Sequence, residues 1–598
     1  MKPLIAVDSI TYTYKPNTGA SVPALRKLSL QIAAGEHVAI VGANGSGKST
    51  LARHLNALLL PDTGTVRING LDTRVTAHHP EIRRLVGMVF QRPEDQTVAT
   101  LVEHDVAFGP ENLGLPPAEI RSRVQHALLT VGLWEHRQRP PHMLSAGQMQ
   151  RLALAGILAM RPDCIIFDEV TAMLDPEGRR AARTLMKELH AEDITLIRIT
   201  HLMEETLDAQ RVVVLHRGAV VMDGTPQEIF RDAGKLQCLG LDVPPVARLA
   251  DALRRHVSGL PENVLTVADL VDALDRIPHH TTSCHNPPSL SPSPQGPTLI
   301  ESAGLGHIYM RDTPFAHRAL KEANLMVHEG CAHGLIGATG TGKSTLLQHL
   351  NGLLKPQEGT LNVIGYPLHE PQTDVRAVRQ RVGLVFQTPE TQIFEQYVGD
   401  EIAYGPRLTG LVGAALRDRV RWAMALVGLD FEAFKDRFTF ALSGGEKRKV
   451  ALASILALQP RILLLDEPTA GLDPASRRDL IARLRTLSCP RGGPAPLDSG
   501  ADRSDRPEMT LILSSHQMED IADLTEELTV MANNTTVLHG SMTQVFSQRE
   551  QLQAWGLEQP VVIRLADELR ARGWCLPEVI ANQEDLLAQL RCRLATPR

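Results

Sequence analysis

Apolar residues in this chain gather into short unbroken runs, the pattern of parallel strands buried on both faces, and into stripes at helical spacing. His37-Val38-Ala39-Ile40-Val41, Val86-Gly87-Met88-Val89-Phe90, Cys164-Ile165-Ile166-Phe167 and Ile462-Leu463-Leu464-Leu465 predict buried strands. Leu51-Ala52-Arg53-His54-Leu55 predicts a helix soon after the first of them. Ile10-Thr11-Tyr12-Thr13-Tyr14 alternates in the manner of a strand. Val246, Leu249, Ala250 and Leu253, and later Val562, Leu565, Ala566 and Leu569, repeat as one face of a helix does. These elements predict an α/β protein.

The features of the first half return in the second. Lys343 follows Lys48 by 295 residues, Gln387 follows Gln91 by 296, and Ser443 and Glu467 follow Ser145 and Glu169 by 298. So steady an offset means one domain duplicated. It jumps to 315 between His201 and His516, which places an insertion after Glu467. The Pro-, Gly-, Ser- and Asp-rich segment from Cys489 to Pro507 is the candidate, read as a mobile surface loop because it cannot bury a core. Residues 281–297 form a Pro/Ser linker that reaches about 50 Å at roughly 3 Å per residue. His279, His280, Cys284 and His285 are too irregularly spaced to favour a metal site over plain linker.

Between the first strand and its helix stands Gly42-Ala43-Asn44-Gly45-Ser46-Gly47-Lys48-Ser49-Thr50, answered by Gly337-Ala338-Thr339-Gly340-Thr341-Gly342-Lys343-Ser344-Thr345. Both fit the phosphate-loop pattern GxxxxGK[ST]. The glycines let consecutive N–H groups curl inward at phosphate oxygens, the lysine adds a charge, and the serine offers a hydroxyl to Mg²⁺. The following helix would turn its N-terminus to the same phosphates. Downstream, two apolar strands each deliver adjacent carboxylates, Asp168-Glu169 and Asp466-Glu467. The first of each pair suits the water shell of Mg²⁺; the second suits orienting or deprotonating an attacking water.

Composition narrows the setting. A chain of 598 residues exceeds what one core organises, so two or more domains are expected. A net charge of −6 gives no electrostatic case for nucleic acid as a partner. Seven cysteines without CxxC pairing fit a reducing cytosol, and no run is long enough to span a bilayer. Any membrane span must therefore come from other chains.

Leu144-Ser145-Ala146-Gly147-Gln148 and Leu442-Ser443-Gly444-Gly445-Glu446, each leading into a predicted helix, resemble the LSGGQ signature of ATP-binding-cassette ATPases. The resemblance covers nearly all of both halves except the linker and the insertion. It implies two P-loop NTPase cassettes, each a RecA-like core with a helical subdomain and a small C-terminal helical tail. The layout would be a first cassette over 1–235, its tail over 236–280, the linker over 281–297, a second cassette over 298–550 with the insertion at about 489–508, and a last tail over 551–598. ATP and Mg²⁺ are the implied cofactors. The carboxylate pairs match Walker B, while Ala172-Met173-Leu174-Asp175 and Ala470-Gly471-Leu472-Asp473 match the D-loop. His201 and His516 match the γ-phosphate switch, and Tyr14 and Tyr309 are placed to stack on adenine.

In this family ATP is wedged between the phosphate loop of one cassette and the signature of another. Besides the loop residues, one site would combine Tyr14, Gln91, Asp168, Glu169 and His201 with Ser443, Gly444 and Gly445. The other would combine Tyr309, Gln387, Asp466, Glu467 and His516 with Ser145, Ala146 and Gly147. Glu169, Glu467, His201 and His516 would be catalytic; Ser49, Gln91, Asp168, Ser344, Gln387 and Asp466 would hold the metal. Both sites are expected to hydrolyse, the one containing Ala146 more slowly if that position needs left-handed backbone.

Within the family, the chain most resembles the two ATPases of energy-coupling-factor importers, the group that includes cobalt, nickel and vitamin systems. The resemblance rests on the segments Asp105-Val106-Ala107-Phe108-Gly109-Pro110 and Asp400-Glu401-Ile402-Ala403-Tyr404-Gly405-Pro406, on the two non-identical Walker B regions, and on the paired tails. It implies a transmembrane coupling (T) subunit and a membrane-embedded substrate-binding (S) subunit as partners, with the ATPase peripheral on the cytoplasmic face and its cassettes paired within one chain. The tails would pair the ATPases, or else pack on their own cassettes. Glu94, Asp95, Glu103, Asp105, Glu390, Glu395, Asp400 and Glu401 would wall the grooves that receive coupling helices, with Asp105 and Asp400 as the test positions. A monosaccharide-type importer ATPase is the nearest alternative. A soluble tandem ATPase acting on ribosomes or DNA would need a basic inter-cassette arm, and this linker is nearly uncharged. A P-loop kinase or GTPase leaves the two signatures unexplained.

Overall fold

The computed structural model describes residues 3–15, 21–171, 174, 176–257, 259–278, 296–313, 315–388, 391–488, 509–577, 580 and 582–594. Residues 279–295, which hold most of the linker and His279, His280, Cys284 and His285, lie outside these, as do the insertion 489–508, Glu390, the D-loop residues Ala172, Met173 and Asp175, and the side chain of Ala146. The chain divides into two compact units, Met1–Asp251 with Pro261–Leu270 and Gly471–Ala475, and Ala252–Leu260 with Val271–Ala470 and Ser476–Arg598.

In the first unit, strands β1 (Ile5–Tyr14), β2 (Val22–Ile32), β3 (His37–Val41), β4 (Thr63–Ile68), β5 (Leu71–Asp72), β6 (Val86–Val89), β7 (Cys164–Asp168), β8 (Thr195–Ile199), β9 (Arg211–His216) and β10 (Ala219–Gly224) form two sheets. One is a four-stranded antiparallel sheet in the order β2-β1-β4-β5. The other is six-stranded, β10-β9-β3-β8-β7-β6, and parallel except for the β9–β10 hairpin. The runs that predicted buried strands are its centre: every residue of β3, β6, β7 and β8 is buried. Burial at about 1.5–3 kcal/mol for each large aliphatic side chain fixes this sheet more firmly than strand propensity does. A helical layer of Val102–Asn112, Pro117–Thr130 and Ala146–Met160 packs Val106, Leu128, Leu152 and Ala155 into a core shared with Ile165 and Phe167 of β7.

The second unit repeats the plan with β11 (Thr298–Tyr309), β12 (His317–His328), β13 (Ala332–Gly337), β14 (Glu358–Val363), β15 (Tyr366–Pro367), β16 (Val382–Val385), β17 (Ile462–Asp466), β18 (Thr510–Ser514), β19 (Glu527–Ala532) and β20 (Thr535–Ser541). Its sheets run β12-β11-β14-β15 and β16-β17-β18-β13-β19-β20, the same two topologies. In each unit the strand leading to the phosphate loop, β3 or β13, lies between two parallel neighbours, which gives the loop a rigid base.

Leu236, Leu241, Val243, Ala247 and Leu265 join Ala39, Val41, Val212 and Val214 in one core, so the start of the first tail packs on its own cassette. Farther on, and within the second unit, Asp275 accepts from Arg572 at 2.8 Å and from Trp574 Nε1 at 2.7 Å. In the helix Val561–Ala571 the buried face is Val561, Leu565, Ala566 and Leu569. Val562 is only partly buried, so the predicted face is corrected by one position at its start.

Candidate functional site

The helix Lys48–Leu55 follows Gly47, whose φ of 102° turns the backbone from loop to helix. Lys48 Nζ donates to the carbonyls of Gly42 at 2.8 Å and Ala43 at 3.2 Å, and lies 3.7 Å from Glu169. Ser49 Oγ donates to Asp168 Oδ1 at 3.0 Å, which joins the hydroxyl and the carboxylate expected to serve one cation. Gln91 Nε2 donates to Glu169 Oε2 at 3.0 Å, and His201 Nδ1 stands 3.6 Å from the same oxygen. The Tyr14 ring is exposed, with its hydroxyl 3.3 Å from Thr50 Oγ1. Residues separated by more than 180 positions in sequence thus meet at one loop.

The second cassette repeats the set. Lys343 Nζ donates to the carbonyls of Gly337 at 2.8 Å and Ala338 at 3.0 Å. Asp466 accepts from Ser344 and, at 2.5 Å, from Ser514 Oγ. His516 Nδ1 contacts Glu467 Oε2 directly, and Tyr309 reaches Thr345 Oγ1 at 3.3 Å. Gln387 is held through its carbonyl by Arg448 Nη2 at 3.3 Å.

Electrostatics differ between the two carboxylates of the first pair. Burial pushes the Asp168 carboxyl up to about 6, helped by the neighbouring Glu169 charge and opposed by Ser49 and Lys48. Burial acts on Glu169 in the same direction, but His201 and Lys48 outweigh it and hold that carboxyl below its ordinary value. Asp466 is likewise raised, chiefly by burial. A buried, crowded aspartate beside a serine hydroxyl gains most from a divalent cation, so these donors fit Mg²⁺.

One feature was invisible in the sequence. Glu169 at φ 53° and Glu467 at φ 50° both adopt left-handed backbone, unusual for a glutamate and costing about 1–3 kcal/mol. The turn ends each strand and brings Glu169 Oε2 beside both Gln91 and His201. Its recurrence in both cassettes marks it as part of the design rather than a local accident.

The signature segments prove to be helix caps. Ser145 and Ser443 are N-caps of Ala146–Met160 and Gly444–Leu456, each closed into a capping box by Gln148 or Glu446. Glu446 is partly buried, which raises its carboxyl, yet hydrogen bonds from Ser443 and the Arg437 guanidinium hold it below its ordinary value. The Ser-x-x-Gln/Glu spacing carries this signal in the sequence. Gly444 opens a helix and is absent from the left-handed glycines, so the condition on which Ala146 was expected to slow its site is not met. Arg448 is a positioning residue that sequence reasoning missed, bonding the carbonyls of Pro468 and Ala470 as well as that of Gln387.

Two of the carboxylates expected to wall the grooves beyond the two glutamines are turned to their own loops. Asp105 Oδ1 accepts from the N–H groups of Val98 and Ala99 at 2.8 and 3.0 Å, and Glu401 accepts from Phe394 and Glu395 at 3.0 and 2.8 Å. Both carboxylates fasten their own loops. Asp400 pairs with Arg407 at 3.2 Å. Exposed apolar side chains stand beside the exposed Glu94 and Asp95 and the half-exposed Asp400: Val98 and Phe108 at a cavity of about 690 Å³ in the first cassette, and Phe394, Tyr404 and Leu408 in the second.

Among known proteins, the ABC transporter family pattern matches residues 25–172 and again 320–470. The energy-coupling factor transporter ATP-binding protein EcfA1 of Caldanaerobacter subterraneus subsp. tengcongensis is 50% identical over 274 residues, 46% of this chain and 99% of that protein. A protein of Methanosarcina mazei, provisionally named an ABC transporter ATP-binding protein, is 34% identical over 598 residues, 97% of this chain and 96% of that one. The solved structure of cbiO1 from Clostridium perfringens, part of the ABC transporter complex cbiONQ, covers 40% of this chain and 95% of its own at 35% identity, with a TM-score of 0.36. With the family pattern matched in each half and a relative aligned over almost its whole length, the chain belongs to the ABC transporter family as an ATPase of two fused cassettes.

Proposed function

We propose that this chain is the energy-coupling ATPase of an importer of the energy-coupling-factor type, driving uptake of a vitamin or transition-metal ion. The observation that carries the reading is the 50% identity to EcfA1 along nearly all of that relative. Duplication supports it, because one chain then supplies the two ATPases such a system needs, tethered at high effective concentration. In this reading residues 1–235 and 298–550 are the two cassettes and 236–280 and 551–598 their tails, and the cassettes pair within the chain.

When bound, Mg²⁺ supplies charge stabilisation to the phosphates, held by Ser49, Asp168 and Gln91 in one site and Ser344, Asp466 and Gln387 in the other. Lys48 and Lys343 exchange their carbonyl partners for phosphate oxygens. Glu169 and Glu467 accept a proton from the attacking water, and His201 and His516 hold those carboxylates in place. The outward-facing Phe108 and Phe394 groups suit apolar side chains on helices of a T subunit, which carries an S subunit with it. The chain then works on the cytoplasmic face of the membrane; among its described residues no helix is long and apolar enough to cross one.

The test is affinity purification of the tagged chain from detergent-solubilised membranes, followed by reconstitution of what co-purifies. The proposal expects small integral membrane proteins and ATP-dependent uptake into vesicles. Salt-sensitive sedimentation with ribosomes and no membrane protein would overturn it.

A further inference from the structure

At the far end of β13 and β19 from the phosphate loop, the two units carry different chemistry on the same frame. Val38 faces Arg211 across β3 and β9, as His333 faces Glu527 across β13 and β19. Val213 faces Asp223 in the first hairpin as Thr529 faces His539 in the second. In the first unit these positions hold an ion-pair network: Arg211 donates to Asp223 at 2.6 and 2.7 Å and to Glu36 at 3.1 Å. In the second unit Glu36, Val38, Arg211 and Asp223 are replaced by Cys331, His333, Glu527 and His539. No cation replaces Arg211, and three of the four replacements are soft or nitrogen donors.

The new side chains converge. A ligand atom from each of Cys331, His333 and Glu527 lies within 4.8 Å of the others, with both Sγ and Nδ1 at 3.7 Å from Glu527 Oε2. Donors sharing one Zn²⁺ at about 2.0–2.3 Å stand roughly 3.3–3.7 Å apart in a tetrahedron, so closing this triad takes side-chain rotation rather than backbone movement. His333 is fully buried and its Nδ1 has no hydrogen-bond partner. Its Nε2 lies 2.9 Å from Thr529 Oγ1, which in turn lies 3.0 Å from His539 Nδ1. The chain can run in either direction; with Nε2–H donating to Thr529 and Thr529 on to His539, it leaves a lone pair on Nδ1 and gives the outer support metal-binding histidines ordinarily have. Cys331 and Glu527 are partly exposed, which gives an ion access from solvent.

We propose that Cys331, His333 and Glu527 bind a divalent transition metal of the zinc class, with water in the fourth position. On binding, the Cys331 thiol releases its proton to solvent as the metal–sulfur bond forms. Because His333 lies four residues, about 13 Å, before Gly337 at the start of the phosphate loop, the metal acts as a clip between β13 and β19 and takes no part in phosphate chemistry. The site does not depend on the transporter reading.

The full chain, stripped with chelator, is titrated with Zn²⁺ in competition with a chromophoric chelator and separately with Co²⁺. Expected are one more tightly held Zn²⁺ per chain than in His333→Val, and a thiolate-to-cobalt charge-transfer band that Cys331→Ser abolishes. His333→Val places at this register the residue the first unit already buries there, and Cys331→Ser serves the same zinc comparison should it misfold. Thr529→Val, matching Val213, should keep the stoichiometry but weaken affinity by about 10–100-fold. Equal zinc uptake by parent and both ligand variants, or a Co²⁺ spectrum without the thiolate band, overturns the site.

Discussion

Two glycines of one phosphate loop separate backbone strain from steric overlap. Gly45 has φ +76° and a Cβ built there meets nothing within 4 Å; Gly47 has φ +102° and its Cβ would stand 2.6 Å from the Ala24 carbonyl oxygen. Alanine at either position costs about 1–2 kcal/mol for left-handed backbone. Gly47→Ala must also open its contact from 2.6 Å to an ordinary 3.4 Å, displacing the loop by about 0.8 Å. A misplacement near 1 Å at a reacting centre can cost about 10²-fold in rate. In a Lys343→Ala background, which leaves only the first loop to be read, Gly45→Ala should lower thermal stability while leaving ATP affinity close to the parent. Gly47→Ala should lose ATP turnover by about 100-fold. The second loop offers a replicate, since a Cβ at Gly342 meets Ala319 O and one at Gly340 meets nothing. ATP titration by fluorescence and a steady-state phosphate-release assay read both. Equal loss of affinity in Gly45→Ala and Gly47→Ala would refute the steric argument.

Other outcomes follow from the same geometry. With its carboxyl raised by burial from 3.8 to about 6, Asp168 binds a proton more tightly folded than unfolded, so its share of metal-free stability rises as pH falls through about 6 toward about 4. Mg²⁺ competes with that proton, and apparent Mg²⁺ affinity at the first site should weaken over the same window; a flat profile contradicts the assignment. Asp105→Ala leaves the Val98 and Ala99 N–H groups without their acceptor and should cost about 1–3 kcal/mol by denaturant melting. By contrast, Phe108→Ser should leave ATPase and stability intact yet reduce recovery of membrane partners in pull-downs. Glu169→Gln and Glu467→Gln should retain comparable residual ATPase, because Ala146 meets no left-handed requirement in its helix; a large difference would restore the asymmetry.

What the sequence could show was what depends on local pattern. Unbroken apolar runs gave the central strands, because a strand buried on both faces has no polar position to interrupt it. Both phosphate loops, both carboxylate pairs and the duplication were legible for the same reason: each is a contiguous spacing. Conformation was not. The left-handed backbone at Glu169 and Glu467 is set by the strand exit and leaves no mark in residue type. Asp105 and Glu401 read as surface charge because nothing local reveals that Val98, Ala99, Phe394 and Glu395 turn their N–H groups toward them. The cluster at Cys331 stayed hidden because Glu527 lies 196 residues away and meets it only through strand pairing.

The central claim is that nucleotide chemistry at two phosphate loops drives a membrane partner. Its most direct measurement is substrate uptake by vesicles carrying the chain and its co-purified membrane proteins, with Lys48→Ala and Lys343→Ala combined. The account predicts that the complex still assembles while Mg-ATP turnover and uptake are both abolished. Uptake that persists in the double variant, or a parent chain that neither binds nor turns over Mg-ATP, would contradict it.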